Sequence, residues 1–314
     1  MQTQAWRELY PFTSRYQTIG SLKYHYLDEG PDGLSSVQEN GADTATDKIK
    51  ETLLFVHGNP TWSFYWRNLM THFRQKHRTV AVDHLGCGLS DKPQDYNYNL
   101  KTHIENLVEF IKELDLKDIT LLVHDWGGAI GLGAATQLPD RFRRFVIFNT
   151  AAFPPPYFPW RIRACRFPIL GNWALRGLNL FSRAALKMAI CKQERLTPAI
   201  ASGLLAPYDS WENRVAVQRF VQDIPTSPNQ PTWQLLEKIE RELSQFEQIP
   251  VCMVWGMKDW CFRAECLGRL SGIFPRSVVH PLPDAGHYLL EDAHEEIIPI
   301  VEQFLTRDSF IATQ

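Results

Sequence analysis

An α/β fold, with a mostly parallel central sheet flanked by helices and a helical block inserted into it, is predicted by three features of the sequence. Short, wholly apolar runs alternate with helically spaced segments through residues 52–149. The alternation stops at FPPPYFPW (153–160), where four prolines in eight residues mark a boundary, and a helical pattern follows as far as PNQP (228–231). It resumes with the apolar run VCMVWG (251–256). This divides the chain into a core of residues 1–151 and 230–314 and a helical cap of residues 152–229. At 314 residues the chain is long for one compact core and fits a core with one inserted subdomain.

The elements follow in order. Residues 14–20 and 22–28 alternate apolar and polar positions and predict an antiparallel strand pair. Residues 31–51 are rich in Gly, Ser, Asp and Asn and predict an exposed, partly disordered loop, longer than compact domains usually carry. TLLFVH (52–57), RTVAVD (78–83), ITLLVH (119–124) and FRRFVIFN (142–149) predict strands. Helices are expected near 64–73, 100–114 and 127–138. After the cap, VCMVWG and SVVHP (277–281) predict the last strands, with helices near 263–274 and 293–304. Strand–helix alternation of this kind implies a parallel sheet covered on both faces.

Composition excludes several classes. Apolar residues make up 44% of the chain and charged ones 22%, with a formal net charge of −2. Nothing in that balance points to nucleic acid, and no block of like charges forms an interaction tail. No basic region followed by an apolar run opens the chain, and no apolar stretch approaches the ~18 residues of a membrane span. A cytoplasmic location is the expectation. The six cysteines form no C-x-x-C pair and sit at no zinc-ligand spacing from histidine, so reduced thiols and no metal are expected. The 18 Phe, 10 Tyr and 10 Trp either line an apolar cavity or fill a large core.

Three segments carry chemistry. In Val123-His124-Asp125-Trp126-Gly127-Gly128 a strand ends and a helix begins, with small residues where the two must pack closely. A nucleophile placed on such a turn follows the pattern G-x-S-x-G; here Val123 replaces the first glycine and Asp125 the serine. A carboxylate is ionised at neutral pH without a base. It is poorly suited to hydrolysing ordinary esters and well suited to displacing a leaving group at saturated carbon. The competing reading is a degraded serine site in a non-enzymatic relative. His57-Gly58-Asn59-Pro60-Thr61 follows another strand, in the loop that faces the nucleophile in this pattern. Its backbone and that of Trp126 supply oxyanion N–H groups, and the Asn59 and Trp126 side chains add donors able to hold a departing halide. As structural residues, Asn59 serves a turn and Trp126 a core. Asp284-Ala285-Gly286-His287-Tyr288 places His287 as the base that activates water. Asp259, after the VCMVWG strand, is favoured as the acid that orients it over Asp284, Glu291 and Asp292, since the stretch around Asn149 has no carboxylate. The turn at residues 83–90 reads as structural.

HGNPTWSFYWR, VHDWGG, GMKD and DAGHY together resemble the haloalkane dehalogenases of the α/β-hydrolase fold, over about residues 12–306. The resemblance implies Asp125 as nucleophile, His287 as base, Asp259 as acid and Asn59 with Trp126 as the halide-binding pair. The late acid and the Asn of the H-G-N-P loop resemble the third dehalogenase subfamily. That subfamily is also similar to the β-lactone decarboxylases of bacterial olefin biosynthesis, which the segment LAPYDSWENRVAVQRFVQDIP resembles closely. Dehalogenation is therefore expected first and β-lactone decarboxylation close behind. Both need a small apolar substrate and no cofactor, and dehalogenation releases a halide ion. Epoxide hydrolases share the H-D-W-G-G turn but need acidic hydroxyls, for which Tyr157 and Tyr208 are available; both are expected to pack the cap instead. A non-catalytic ligand-binding relative is the last alternative. Oligomeric state stays open, a homo-oligomer included.

Overall fold

The computed structural model describes residues 5–31, 51–166 and 173–306. Most of the loop expected at 31–51 lies outside the described residues. The sheet has eight strands: β1 (Ser14–Ile19), β2 (Leu22–Glu29), β3 (Thr52–Val56), β4 (Arg78–Val82), β5 (Ile119–Asp125), β6 (Phe142–Thr150), β7 (Val251–Gly256) and β8 (Val278–Leu282). Their spatial order is β1-β2-β4-β3-β5-β6-β7-β8. The first two strands pair antiparallel, β2 joins β4 antiparallel, and every later pairing is parallel.

The apolar runs make sense at this register. Successive side chains of a strand point to opposite faces, and a sheet covered on both faces buries all of them. Leu54, Val56, Leu121, Val123 and Ile147 pack on one side, against helices α3 (Leu100–Glu113) and α4 (Trp126–Gln137). Leu53, Phe55, Leu122, Val146 and Phe148 pack on the other, against α2 (Arg67–Phe73) and the C-terminal helix. Asn99 caps α3 by accepting the Thr102 N–H at 2.9 Å.

Between β6 and β7 the chain is helical. α5 (Trp160–Ala164), a π-helical turn (Trp173–Gly177), α6 (Leu180–Met188), α7 (Pro198–Leu205) and α8 (Val215–Asp223) lie over the C-terminal ends of the central strands. Helix α9 (Pro231–Glu242) returns to pack on α3 and α4. α10 (Ala264–Ile273) and α11 (Leu289–Thr306) complete the fold. The last helix starts four residues before the position expected from sequence. Ala293, at φ −150° and ψ 28°, breaks it, so periodicity alone detects only the part beyond the kink.

One polar contact ties the helices of that face together. Arg67 makes a two-pronged pair with Glu291, both bonds 2.6 Å, with both side chains buried. Removing one partner of such a pair strands the other charge in the core. Arg67→Ala is expected to destabilise the fold by about 3–5 kcal/mol, read by urea unfolding.

Candidate active site

Asp125 ends β5 and begins α4 at φ 52° and ψ −130°, a left-handed conformation that a non-glycine residue holds only when the surroundings enforce it. The enforcement is visible. The Thr150 hydroxyl donates to the Asp125 backbone carbonyl, and the Asn59 backbone N–H donates to Oδ1 at 2.6 Å. A Cβ on Gly58 would overlap the Asp125 carboxylate, and one on Gly127 would overlap the Val56 carbonyl at the end of β3. Small residues here are a condition for the turn to exist.

His287 lies between two carboxylates. Its Nδ1 is 2.8 Å from Asp259 Oδ2 and its Nε2 is 3.5 Å from Asp125 Oδ2. Asp259 Oδ1 accepts the Cys261 N–H at 2.6 Å. The loop that carries Asp259 is clamped by Asn149, which donates to the Gly256 carbonyl at 3.0 Å and accepts the Gly256 N–H at 2.7 Å. An amide thus occupies the position on β6 where sequence inspection found no acid, and it braces the neighbouring strand that provides one.

The other carboxylates near His287 are occupied elsewhere. Asp284 is exposed and pairs with Lys258 at 2.7 Å. Glu291 holds Arg67. Asp292 accepts the N–H groups of Gly286, Cys191 and Lys192 at 2.8–2.9 Å, joining the His287 turn to the helical insertion. That last contact was not read from sequence, because it links segments a hundred residues apart.

Electrostatics set the protonation states. Burial pushes the Asp125 carboxyl up, but the hydrogen bond and charge of His287, the neighbouring His124 and the Trp126 N–H outweigh it and hold the pKa below the ordinary value. Burial alone would lower His287; Asp259 and Asp125 together raise it to about 10. At neutral pH the resting site is therefore an imidazolium between two carboxylates. His124, 4.7 Å away ring to ring, is held neutral by burial and then by the charge of His287, at about 3. Its Nε2 donates to the His287 carbonyl at 2.8 Å, which fixes the turn.

All five residues singled out from sequence, Asp125, His287, Asp259, Asn59 and Trp126, converge here. Asn59 differs in one respect from the expectation of a donor aimed at the leaving group. Its Nδ2 donates to the Val217 carbonyl on α8 at 3.2 Å, and its Oδ1 is buried without a partner among the described residues. Trp126 borders the cavity, and its ring lies against that of Phe220 at 5.5 Å between centroids with the planes tilted by 52°.

Two apolar lobes meet at Asp125. A narrow one, about 110 Å³, runs along Phe153, Pro156, Val221, Leu236 and Phe262. A wider one, about 500 Å³, runs along Leu175, Leu180, Ala184, Ala185 and Met188. Asn59, Asp125, Ile162, Phe181 and Cys261 line both. Spacing could not have revealed these walls, which come from segments far apart in the chain. The Tyr157 hydroxyl donates to the Cys261 carbonyl at 2.6 Å, and that of Tyr208 donates to the Thr61 carbonyl at 3.0 Å. Both hydroxyls are thus engaged with backbone carbonyls of loops, as expected of residues that pack the cap. Among the described residues no cluster of His, Cys, Asp and Glu fits a metal ion.

Comparison with known proteins agrees with this geometry. Residues 51–294 match the α/β hydrolase fold family. A cis-3-alkyl-4-alkyloxetan-2-one decarboxylase of Shewanella oneidensis is 38% identical over 98% of this chain and 92% of its own. Haloalkane dehalogenase 2 of Mycobacterium tuberculosis is 32% identical over 95% of this chain and 96% of its own. The tetrameric structure of haloalkane dehalogenase DpaA from Paraglaciecola agarilytica superposes with a TM-score of 0.75 at 26% identity, covering 96% of this chain and 94% of that one. An eight-stranded sheet, a left-handed aspartate at the strand–helix turn and these relatives place the chain in the α/β-hydrolase family, as an enzyme of the branch that holds the haloalkane dehalogenases and the β-lactone decarboxylases.

Proposed function

We propose that the chain opens and decarboxylates a cis-3,4-dialkyl β-lactone, with Asp125 as nucleophile, beneath a helical cap of residues 152–229. The carrying observation is the pair of apolar lobes that meet at Asp125, one for each alkyl chain of such a ring. The 38% identity to a named oxetanone decarboxylase supports the same order. Haloalkane dehalogenation, ranked first from sequence, is the second reading; it is supported by the 32% relative and by the Asn59–Trp126 pair, and it needs only one lobe.

Both reactions start alike. In the lactone route Asp125 attacks the saturated ring carbon bonded to the ring oxygen, and the bond between that carbon and the ring oxygen breaks. This leaves an alkyl ester on Asp125 and a free carboxylate beside the His287 imidazolium and the Trp126 indole. The bond to that carboxylate then breaks. Its electron pair forms the alkene, CO₂ departs and Asp125 leaves as carboxylate. Inversion followed by anti elimination converts a cis lactone into a cis alkene. No water or net proton is consumed, so His287 serves as a fixed cation. In the halide route Asp125 displaces halide, and water activated by neutral His287 must cleave the ester. Esterification removes one of the two charges that hold the proton on His287, which makes that role accessible.

The protonation states give a pH test. Asp125 is ionised through the neutral range, and His287 keeps its charge until pH approaches about 10. Alkene formation is expected to be flat from about pH 6 to 9 and to fall as His287 deprotonates. A steep rise across that range would identify neutral His287 as the working form.

Filling one lobe tests the two-chain geometry. Ala185→Trp narrows the wider lobe. It is expected to raise KM at least ten-fold for lactones with two long chains and to spare those with one long and one short chain. Equal effects on both substrates would remove the two-lobe argument.

A further inference from the structure

The helical insertion has one face unlike the rest of the molecule. No acidic residue lies between Asp140 and Glu194, and residues 152–193 hold seven Lys or Arg, in a chain of net charge −2. Four of these cations, Arg161, Arg163, Arg183 and Lys187, are exposed and form no ion pair with a carboxylate among the described residues. Large apolar side chains stand among them: Trp160 is 74% exposed, Trp173 and Leu178 each 65%, Leu180 48%. The Arg161 guanidinium lies 5.7 Å from the Trp160 ring and 5.4 Å from that of Trp260.

Helix α6 shows the division within one element. Ser182 and Leu186 are buried, whereas Leu180, Ala184 and Met188 border the wider lobe and Arg183 and Lys187 stand beside them one turn apart. Trp160 and Arg161 border the same lobe from the other side. Trp160, Arg161, Leu180 and Met188 thus combine exposure with a place on the wall of the wider lobe, and Arg183 and Lys187 stand on the same helix as the last two.

We infer that this face docks the enzyme on an anionic phospholipid surface, with the mouth of the wider lobe against the bilayer. Trp and Leu at headgroup depth, with cations beside them in a stretch (141–193) that carries no carboxylate of its own, are the composition that an anionic interface attracts. Among the described residues no helix is long and apolar enough to cross a membrane, so the contact is peripheral. An apolar, poorly water-soluble substrate would then enter from the lipid. The inference stands on surface composition and is tested without turnover, so it is independent of which leaving group Asp125 displaces.

The test is co-flotation of the full chain with vesicles of phosphatidylcholine alone or with about a third phosphatidylglycerol. Binding is expected to the anionic vesicles at low salt, with little to the neutral ones, and it should fade toward 1 M salt as the screening length contracts to about 3 Å. Arg183→Glu with Lys187→Glu should weaken binding at least about 25-fold, at roughly five-fold per cation. Trp173→Ser with Leu178→Ser should weaken it at every salt concentration. None of these four side chains borders the cavity, so turnover of detergent-dispersed substrate is expected to stay at the wild-type level. Wild-type protein that ignores anionic vesicles, or that binds them equally after charge reversal, overturns the inference. So does self-association through this face without vesicle binding, which sedimentation velocity would show and the same charge reversal would abolish.

Discussion

Asp125→Asn is expected to lower turnover by about 10⁴-fold or more, whichever substrate is offered, while leaving the fold intact. The amide keeps the shape of the carboxylate and can still accept the Asn59 N–H that now reaches Oδ1 at 2.6 Å. It cannot supply the anionic oxygen that attacks saturated carbon. It also removes one of the two charges that raise His287, so the imidazolium becomes easier to deprotonate. Single-turnover kinetics and a thermal melt together separate lost chemistry from lost structure. Full activity in protein shown by mass spectrometry to carry Asn at 125 would remove Asp125 from the mechanism.

His287→Ala is the second large effect, and its form tells the two reactions apart. In the lactone route the residue is a cation beside the developing carboxylate, and loss of such a group slows the reaction about 10²–10³-fold. No adduct should persist, because decarboxylation needs no water. In the halide route the first step survives and the second does not, so the alkyl ester on Asp125 accumulates. Intact-protein mass spectrometry after exposure to a bromoalkane would then show a gain equal to the alkyl group less one hydrogen. Unchanged rates on both substrates, with no adduct, would contradict either role and leave the 2.8 Å contact to Asp259 as a structural bond only.

The strands and the convergence of the candidate site residues were legible in the sequence for the same reason. Almost wholly apolar runs such as TLLFV and ITLLV can be buried only in a sheet covered on both faces, and the Asn59, Asp125 and Asp259 motifs sit at the C-terminal ends of such runs, whereas the His287 motif follows the half-exposed strand β8. Asp125 ends β5, and Asp259 and His287 lie in the loops that leave β7 and β8, so strand order brings them together. What periodicity could not provide was the cavity. Its walls come from α5, α6, α8, α9 and the loop after β7, and which face of each short helix turns inward depends on packing between distant segments. The engagement of Asn59 with Val217 was hidden for the same reason, since its partner lies far along the chain. The basic, aromatic face of the insertion is likewise absent as a run of charge, because its cations lie two to ten residues apart in the sequence.

That Asp125 opens a strained ring between two alkyl lobes is tested most directly by a side-by-side assay of the purified protein. One arm follows alkene formation from a long-chain cis-3,4-dialkyl β-lactone; the other follows halide release from chlorinated, brominated and iodinated alkanes. Rapid formation of the cis alkene with slow halide release is the predicted result. Fast halide release with an inert lactone would contradict it and make the enzyme a dehalogenase whose second lobe serves another end.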